Sequence, residues 1–161
     1  MDWPAPMLQP TSDTGCIEHS VAYIAHCLGF THVTPQMVAD AKGAESPAAE
    51  RYIPHCLGYP VDLWWHHKDE NDIKRMYWLG ANARLWVEYH LRAGEIALVI
   101  VERVPNRAHA LVLLESRGDD GVLVMDPLYG HRTEPWPWLL GLGAGRHGAH
   151  HIAGWYRLPT D

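Results

Sequence analysis

Apolar residues recur at helical spacing through the first half of the chain. The clearest case is a predicted helix from Cys16 to Leu28, where four apolar side chains share one face and Gly29 supplies the stop. Capping residues followed by proline predict two further helices, which begin at Thr34-Pro35 and at Ser46-Pro47. The remaining predicted helices of this half are short and cover 72–79 and 82–92.

The pattern changes after Gly94, where apolar residues gather into short continuous runs that are typical of strands. These runs predict strands over 95–102, 108–115, 122–125 and 154–158. A turn over 117–121 joins two of them as an antiparallel hairpin. Helices followed by an antiparallel sheet predict an α+β fold in a single domain. We expect its parts to be an extended arm over 1–15, a mainly helical half over 16–94 and a sheet half over 95–161.

Composition and charge exclude several classes of function. Hydrophobic residues make up 47% of the chain, yet no run approaches the roughly 18 apolar residues that span a membrane. The net charge is -6 and basic residues do not cluster, which argues against a nucleic-acid partner. The first ten residues lack the basic and apolar regions of a signal peptide, which predicts cytoplasmic synthesis. In that compartment, three cysteines argue against a disulfide framework.

Cys16 is the candidate nucleophile because it opens a predicted helix directly after a glycine-containing turn. Unpaired N–H groups and the positive end of the helix dipole favour the thiolate at this position. The same N–H groups can donate to an oxyanion that forms beside the sulfur. Cys27 and Cys56 lie at helix ends of the opposite polarity and gain neither benefit. The alternative interpretation of Cys16 is a small buried residue, which is the usual environment of a free cysteine.

A thiolate nucleophile needs a base that can later act as an acid, and His109 is the candidate. It is the one histidine among twelve that we expect inside a strand, where a rigid backbone would hold its geometry. The predicted hairpin returns Asp126, followed by Pro127, to the beginning of that strand, so its carboxylate can fix the imidazole tautomer. The alternatives are a satisfied strand histidine and an aspartate that ends a strand at a turn.

These segments together resemble the papain-like cysteine peptidases, in particular the double-glycine peptidases that process bacteriocin precursors. The resemblance covers most of residues 8–130. It is carried by Leu8-Gln9-Pro10 on an extended arm, Cys16 at a helix start, and a strand beginning at His109 that is followed by Asp126-Pro127. It implies the papain-like fold, and it implies that Gln9 helps Cys16 to bind the oxyanion.

Tryptophan and histidine are unusually frequent, with eight and twelve copies. Trp64 and Trp65, together with Trp136 and Trp138, are candidates for an aromatic substrate groove or a protein-binding surface. Packing in the core is the alternative for all four. Histidines at 66–67 and 147–151 fall in loop-like stretches without the spacing of a metal motif, so we expect no metal and no other cofactor.

The leading hypothesis is a cysteine hydrolase that cleaves a peptide or peptide-like amide bond through Cys16, His109 and Asp126. Acyl transfer to an amine stays open beside hydrolysis. A second hypothesis is a catalytically silent papain-like module, for example a virion-associated component of a phage tail, whose Trp-rich surface binds protein partners. The two hypotheses differ in whether the Cys16 sulfur lies within about 4 Å of a His109 ring nitrogen and is open to solvent.

Overall fold

The computed structural model describes residues 2–10, 15–61, 83–104, 107–139 and 150–160. Its helices are α1 Cys16–Cys27, α2 Pro35–Ala41, α3 Tyr52–Leu57 and α4 Ala83–Arg92, with a 3₁₀ turn Ala49–Arg51 before α3. Its strands are β1 Glu95–Val104, β2 Arg107–Ser116, β3 Val122–Asp126, β4 Gly130–Glu134 and β5 His150–Arg157, and a one-turn helix α5, Trp136–Leu139, follows β4. This mixture of helices and an antiparallel sheet confirms the predicted α+β class. The helix expected over 72–79 lies outside the described residues.

The five strands form one antiparallel sheet in the order β4-β3-β2-β1-β5. In the pairing of β1 with β2, Val101 lies opposite His109. In the pairing of β2 with β3, Val112 lies opposite Met125. Because these strands run in opposite directions, the beginning of β2 and the end of β3 meet at the same end of the sheet. His109 and Asp126 lie at that end.

Apolar side chains alternate along the strands and divide the core between the two faces of the sheet. On one face, strand residues such as Ile96, Leu98 and Val112 pack in a cluster with the buried side of α1. On the other face, their neighbours Ala97 and Val99 pack with side chains of α4 and α5. The central strands are therefore packed on both faces.

The two helix starts that were predicted from a capping residue followed by proline have different outcomes. Thr34 caps α2 as predicted, since its Oγ1 accepts from the N–H of Met37 at 3.2 Å. The helix expected from Ser46 begins later, at the 3₁₀ turn. Ser46 instead closes a tight turn, in which its carbonyl accepts from the N–H of Gly43 and its own N–H donates to Ala41.

The strands differ from the prediction at the two edges of the sheet, which are formed by β4 and β5. β4 was not predicted, and β5 begins four residues before the expected Gly154. His131 therefore lies in β4, and His150 and His151 lie in β5. The expectation that His109 is the one histidine within a strand is wrong, as is the placement of 150–151 in a loop. Among the described residues, no helix combines the length and the apolar character needed to cross a membrane.

Candidate active site

Cys16 is the first residue of α1 and follows a glycine in the left-handed conformation. Gly15 has a φ of 87°, which glycine adopts readily because it has no Cβ. Cys16 is half-buried, as are the other two cysteines. The N–H groups of the first helical turn lack helical acceptors, so they and the helix dipole favour negative charge on the sulfur.

His109 and Asp126 form a buried hydrogen-bonded pair. His109 Nε2 lies 2.7 Å from Asp126 Oδ1, and the exposed fractions of the two residues are 4% and 0%. The N–H of Leu128 donates to the same carboxylate oxygen at 2.9 Å. Because an ionised carboxylate only accepts, the proton of this pair is on Nε2 of His109. The other ring nitrogen, Nδ1, is then the one that can exchange a proton with a thiol.

The thiol of Cys16 contacts both the His109 ring and the backbone of Ala110. Burial raises the pKa of the Cys16 thiol, and the charge of Glu18 raises it further. Hydrogen bonds from the His109 side chain and the Ala110 backbone, together with the charge of His109, lower the pKa and outweigh the burial. The net result is a Cys16 pKa below its ordinary value, which is the condition for a nucleophilic cysteine.

The other two cysteines have the opposite character. Burial raises the pKa of the Cys27 thiol to about 12, despite opposing hydrogen bonds from its own backbone and from Tyr23. Burial and the nearby charge of Glu45 also raise the pKa of the Cys56 thiol. All three cysteines are free thiols. Of the three, Cys16 is therefore the one in an environment that favours the thiolate.

The N-terminal arm brings Gln9 to the end of the sheet that holds Asp126. The backbone N–H of Gln9 donates to the carbonyl of Pro127 at 2.8 Å, and Gln9 is 8% exposed. The arm is anchored at two other points. Trp3 Nε1 donates to Glu115 at 2.7 Å, and the carbonyl of Pro4 accepts from the Tyr23 hydroxyl at 3.0 Å. Gln9 is thus held beside the segment that directly follows Asp126.

The tryptophans do not form the predicted groove beside Cys16 as far as they are described. Trp64 and Trp65 lie outside the described residues. Trp136 is 5% exposed, and its Nε1 donates to the carbonyl of Gly118 at 2.7 Å. Trp138 packs against the same core cluster, on the sheet face opposite α1. Trp136 therefore follows the core-packing alternative, and the partly buried Trp138 packs with the same cluster.

Two groups at the site were missed from the sequence. The Ala110 backbone contributes to the thiol environment, and no sequence pattern marks it. His19 lies one turn into α1, and its Nδ1 is 2.6 Å from the carbonyl oxygen of Gly15. No side-chain pattern in the sequence marks this contact, because its acceptor is the backbone oxygen of a glycine. In the part of the chain that the structure describes, no group of three or more potential ligands is arranged to hold a metal ion.

Comparison with known proteins identifies no family, since no family model and no curated protein matches the chain. The function is therefore inferred from the geometry around Cys16, His109 and Asp126.

Proposed function

We propose that the protein is a papain-like cysteine hydrolase that cleaves a peptide or peptide-like amide bond. The observation that carries the proposal is the continuous chain of contacts from the Cys16 thiol to the His109 ring and from that ring to Asp126 at 2.7 Å. The three groups come from α1, β2 and β3, so tertiary folding brings them together. A helix-borne cysteine packed against a sheet-borne histidine and acid supports the resemblance to the double-glycine peptidases.

The first half of the reaction forms an acyl-enzyme. His109 takes the thiol proton on Nδ1, and the Cys16 sulfur attacks the carbonyl carbon of the scissile amide. The carbonyl oxygen becomes an oxyanion, which accepts hydrogen bonds from the N–H of Cys16 and from the side chain of Gln9. The imidazolium then protonates the leaving nitrogen, the C–N bond breaks, and a thioester remains on Cys16.

The second half releases the product. His109 withdraws a proton from water, whose oxygen attacks the thioester carbonyl and expels the Cys16 sulfur. Asp126 stays ionised throughout, holds Nε2–H of His109 and stabilises the positive ring. An amine that replaces water in this step would give acyl transfer with the same residues. The substrate class is therefore an amide whose acyl part reaches the sulfur of Cys16.

The catalytically silent module is less well supported than the hydrolase. A site that catalyses no reaction does not need a nucleophilic thiol. The pKa of the Cys16 thiol is nevertheless lowered, whereas burial raises the pKa of Cys27 and Cys56. A lowered thiol pKa is expected of a nucleophile in use.

The direct experiment compares the wild-type protein with Cys16→Ala and with Cys56→Ala as the matched control. The probe is p-nitrophenyl acetate, an activated ester that acylates nucleophilic thiols. We expect a burst of about one equivalent of nitrophenolate from the wild type and from Cys56→Ala, with an acetyl group located on residue 16 by mass spectrometry. Cys16→Ala should give no burst while keeping its far-UV circular dichroism. A burst that persists in Cys16→Ala, or is absent from the wild type, contradicts the proposal.

A further inference from the structure

The peptide group that joins Gly15 to Cys16 contains the N–H that an oxyanion at Cys16 would use. The C=O of Gly15 and the N–H of Cys16 belong to one rigid plane and point in opposite directions. Any contact that fixes the Gly15 carbonyl oxygen therefore also fixes the direction of the Cys16 N–H. The partners of that oxygen thus bear on catalysis although they do not touch a substrate.

Two donors from a single residue hold the Gly15 oxygen. The backbone N–H of His19 donates to it at 2.9 Å, which is the ordinary first hydrogen bond of an α-helix. The ring Nδ1 of His19 lies 2.6 Å from the same oxygen, and this contact is no part of the helical pattern. Since a carbonyl oxygen only accepts, the ring carries its proton on Nδ1. The two donors together occupy both lone pairs of the oxygen.

Gly15 and the His19 ring fit against each other. A Cβ at position 15 would lie 3.1 Å from Nδ1 and 3.2 Å from Cε1 of the His19 ring, which is tighter than nine in ten Cβ contacts. Glycine therefore serves two needs here, the positive φ of 87° and the space for the ring. A side chain at position 15 would push the imidazole away from the peptide group that precedes the nucleophile.

We infer that His19 is a positioning residue for the oxyanion-binding N–H of Cys16. The inference rests on the proposed acyl chemistry at Cys16. Two hydrogen bonds to the Gly15 oxygen keep the peptide plane from rotating. They also polarise the amide, which makes its N–H a stronger donor to a developing negative charge. His19 acts through the Gly15–Cys16 peptide, whereas His109 acts on the sulfur itself.

If His19 positions the N–H of Cys16, its loss should affect only one of two reactions of the Cys16 thiol. Acylation of Cys16 by p-nitrophenyl acetate passes through a tetrahedral oxyanion, which needs the N–H. Alkylation by iodoacetamide displaces iodide from a CH₂ group with the thiolate and forms no oxyanion. A variant that disturbs only the positioned peptide should slow the first reaction and spare the second.

The variants are His19→Leu, which is similar in size but lacks a donor, and His19→Asn, whose side-chain NH₂ can occupy the position of Nδ1. We expect His19→Leu to lower the acylation rate constant about tenfold, less than the roughly 100-fold for deleting an oxyanion donor outright. Its alkylation rate should stay within about twofold of wild type, and His19→Asn should recover most of the acylation rate. If His19→Leu does not fold, His19→Ala takes its place.

Equal slowing of acylation and alkylation would assign His19 a merely structural role and overturn the inference. Wild-type acylation in a folded variant without a donor at position 19 would overturn it as well. Absence of Cys16 acylation in the wild-type protein would remove the proposed function, and the inference with it. That result is distinct from a defect confined to the His19 variants.

Discussion

Asp126 is fully buried, and its carboxylate fixes the histidine of the proposed site. It accepts from His109 Nε2 at 2.7 Å and from the N–H of Leu128 at 2.9 Å. A buried charge is costly unless hydrogen bonds and an opposite charge compensate it. In the proposed mechanism, Asp126 therefore stabilises the positive His109 ring that forms when the ring takes the Cys16 proton.

Replacement of Asp126 by Asn and by Leu should separate the hydrogen bond from the charge. Asp126→Asn keeps an oxygen that can accept from His109, as the Asn of a Cys-His-Asn site does, so we expect a smaller loss in acylation by p-nitrophenyl acetate than for Asp126→Leu. Asp126→Leu removes the acceptor, so we expect a loss of about 100-fold or more, and about 1–3 kcal/mol less stability for each buried N–H left unpaired. Stopped-flow acylation and urea unfolding measure the two effects. Equal activity of the two variants would show that the acceptor does not matter.

The three proposed catalytic residues could be selected from the sequence because each carries a local signal. Cys16 follows a turn and opens a helix, His109 lies near the start of an apolar strand, and Asp126 precedes a proline. The contact between Cys16 and His109 could not be read in the same way, since it depends on how α1 packs against the sheet. His19 escaped notice because its partner is a backbone carbonyl rather than another side chain.

At the scale of elements, the turn between β2 and β3 places Asp126 beside His109. Gly118 and Gly121 both have positive φ in this turn, 63° and 127°. A Cβ on Gly118 would meet nothing within 4 Å, whereas a Cβ on Gly121 would lie 1.9 Å from the carbonyl oxygen of Glu134 in β4. The backbone of β4 therefore packs directly on Gly121, and this contact holds the turn in place.

Alanine at these two glycines should have very different effects on stability. Gly118→Ala meets only the strain of a left-handed residue, so we expect a loss of about 1 kcal/mol. Gly121→Ala meets backbone atoms that cannot move aside without disturbing β4, so we expect a loss of more than about 3 kcal/mol. Urea unfolding followed by tryptophan fluorescence measures both. Similar losses for the two variants would contradict the close packing of β4 on the turn.

The sequence predicted elements well where a cap or an apolar run marks them. Thr34-Pro35 placed the start of α2, and the apolar runs placed β1 to β3. It missed β4, whose five residues are buried only at the two ends and exposed in the middle. A short strand at the sheet edge lacks the apolar run of a central strand, because hydrogen bonds to one neighbour hold it in place. Periodicity cannot detect such a strand.

At the scale of the whole molecule, the candidate site forms where three separate stretches of chain meet. α1 carries the thiol, the central strands carry the base and the acid, and the N-terminal arm crosses to the segment after Asp126 through Gln9. The hydroxyl of Tyr23 links these stretches, since it contacts both Pro4 on the arm and His131 in β4. Each of these three stretches has its own signal in the sequence. The contacts between the stretches depend instead on how their side chains pack on one face of the sheet.

The most direct test of the central claim is the pH dependence of iodoacetamide alkylation at each cysteine, followed by peptide mass spectrometry. A thiol with a lowered pKa is ionised at lower pH, so Cys16 in the wild type should react with a midpoint below the value for a free-cysteine peptide alkylated under the same conditions. Cys27 and Cys56 should react slowly at neutral pH. His109→Gln removes the imidazole with its hydrogen bond and charge, so burial should dominate and move the Cys16 midpoint above the value for the same peptide. A wild-type midpoint at or above that value, or one that His109→Gln leaves unchanged, would contradict the account.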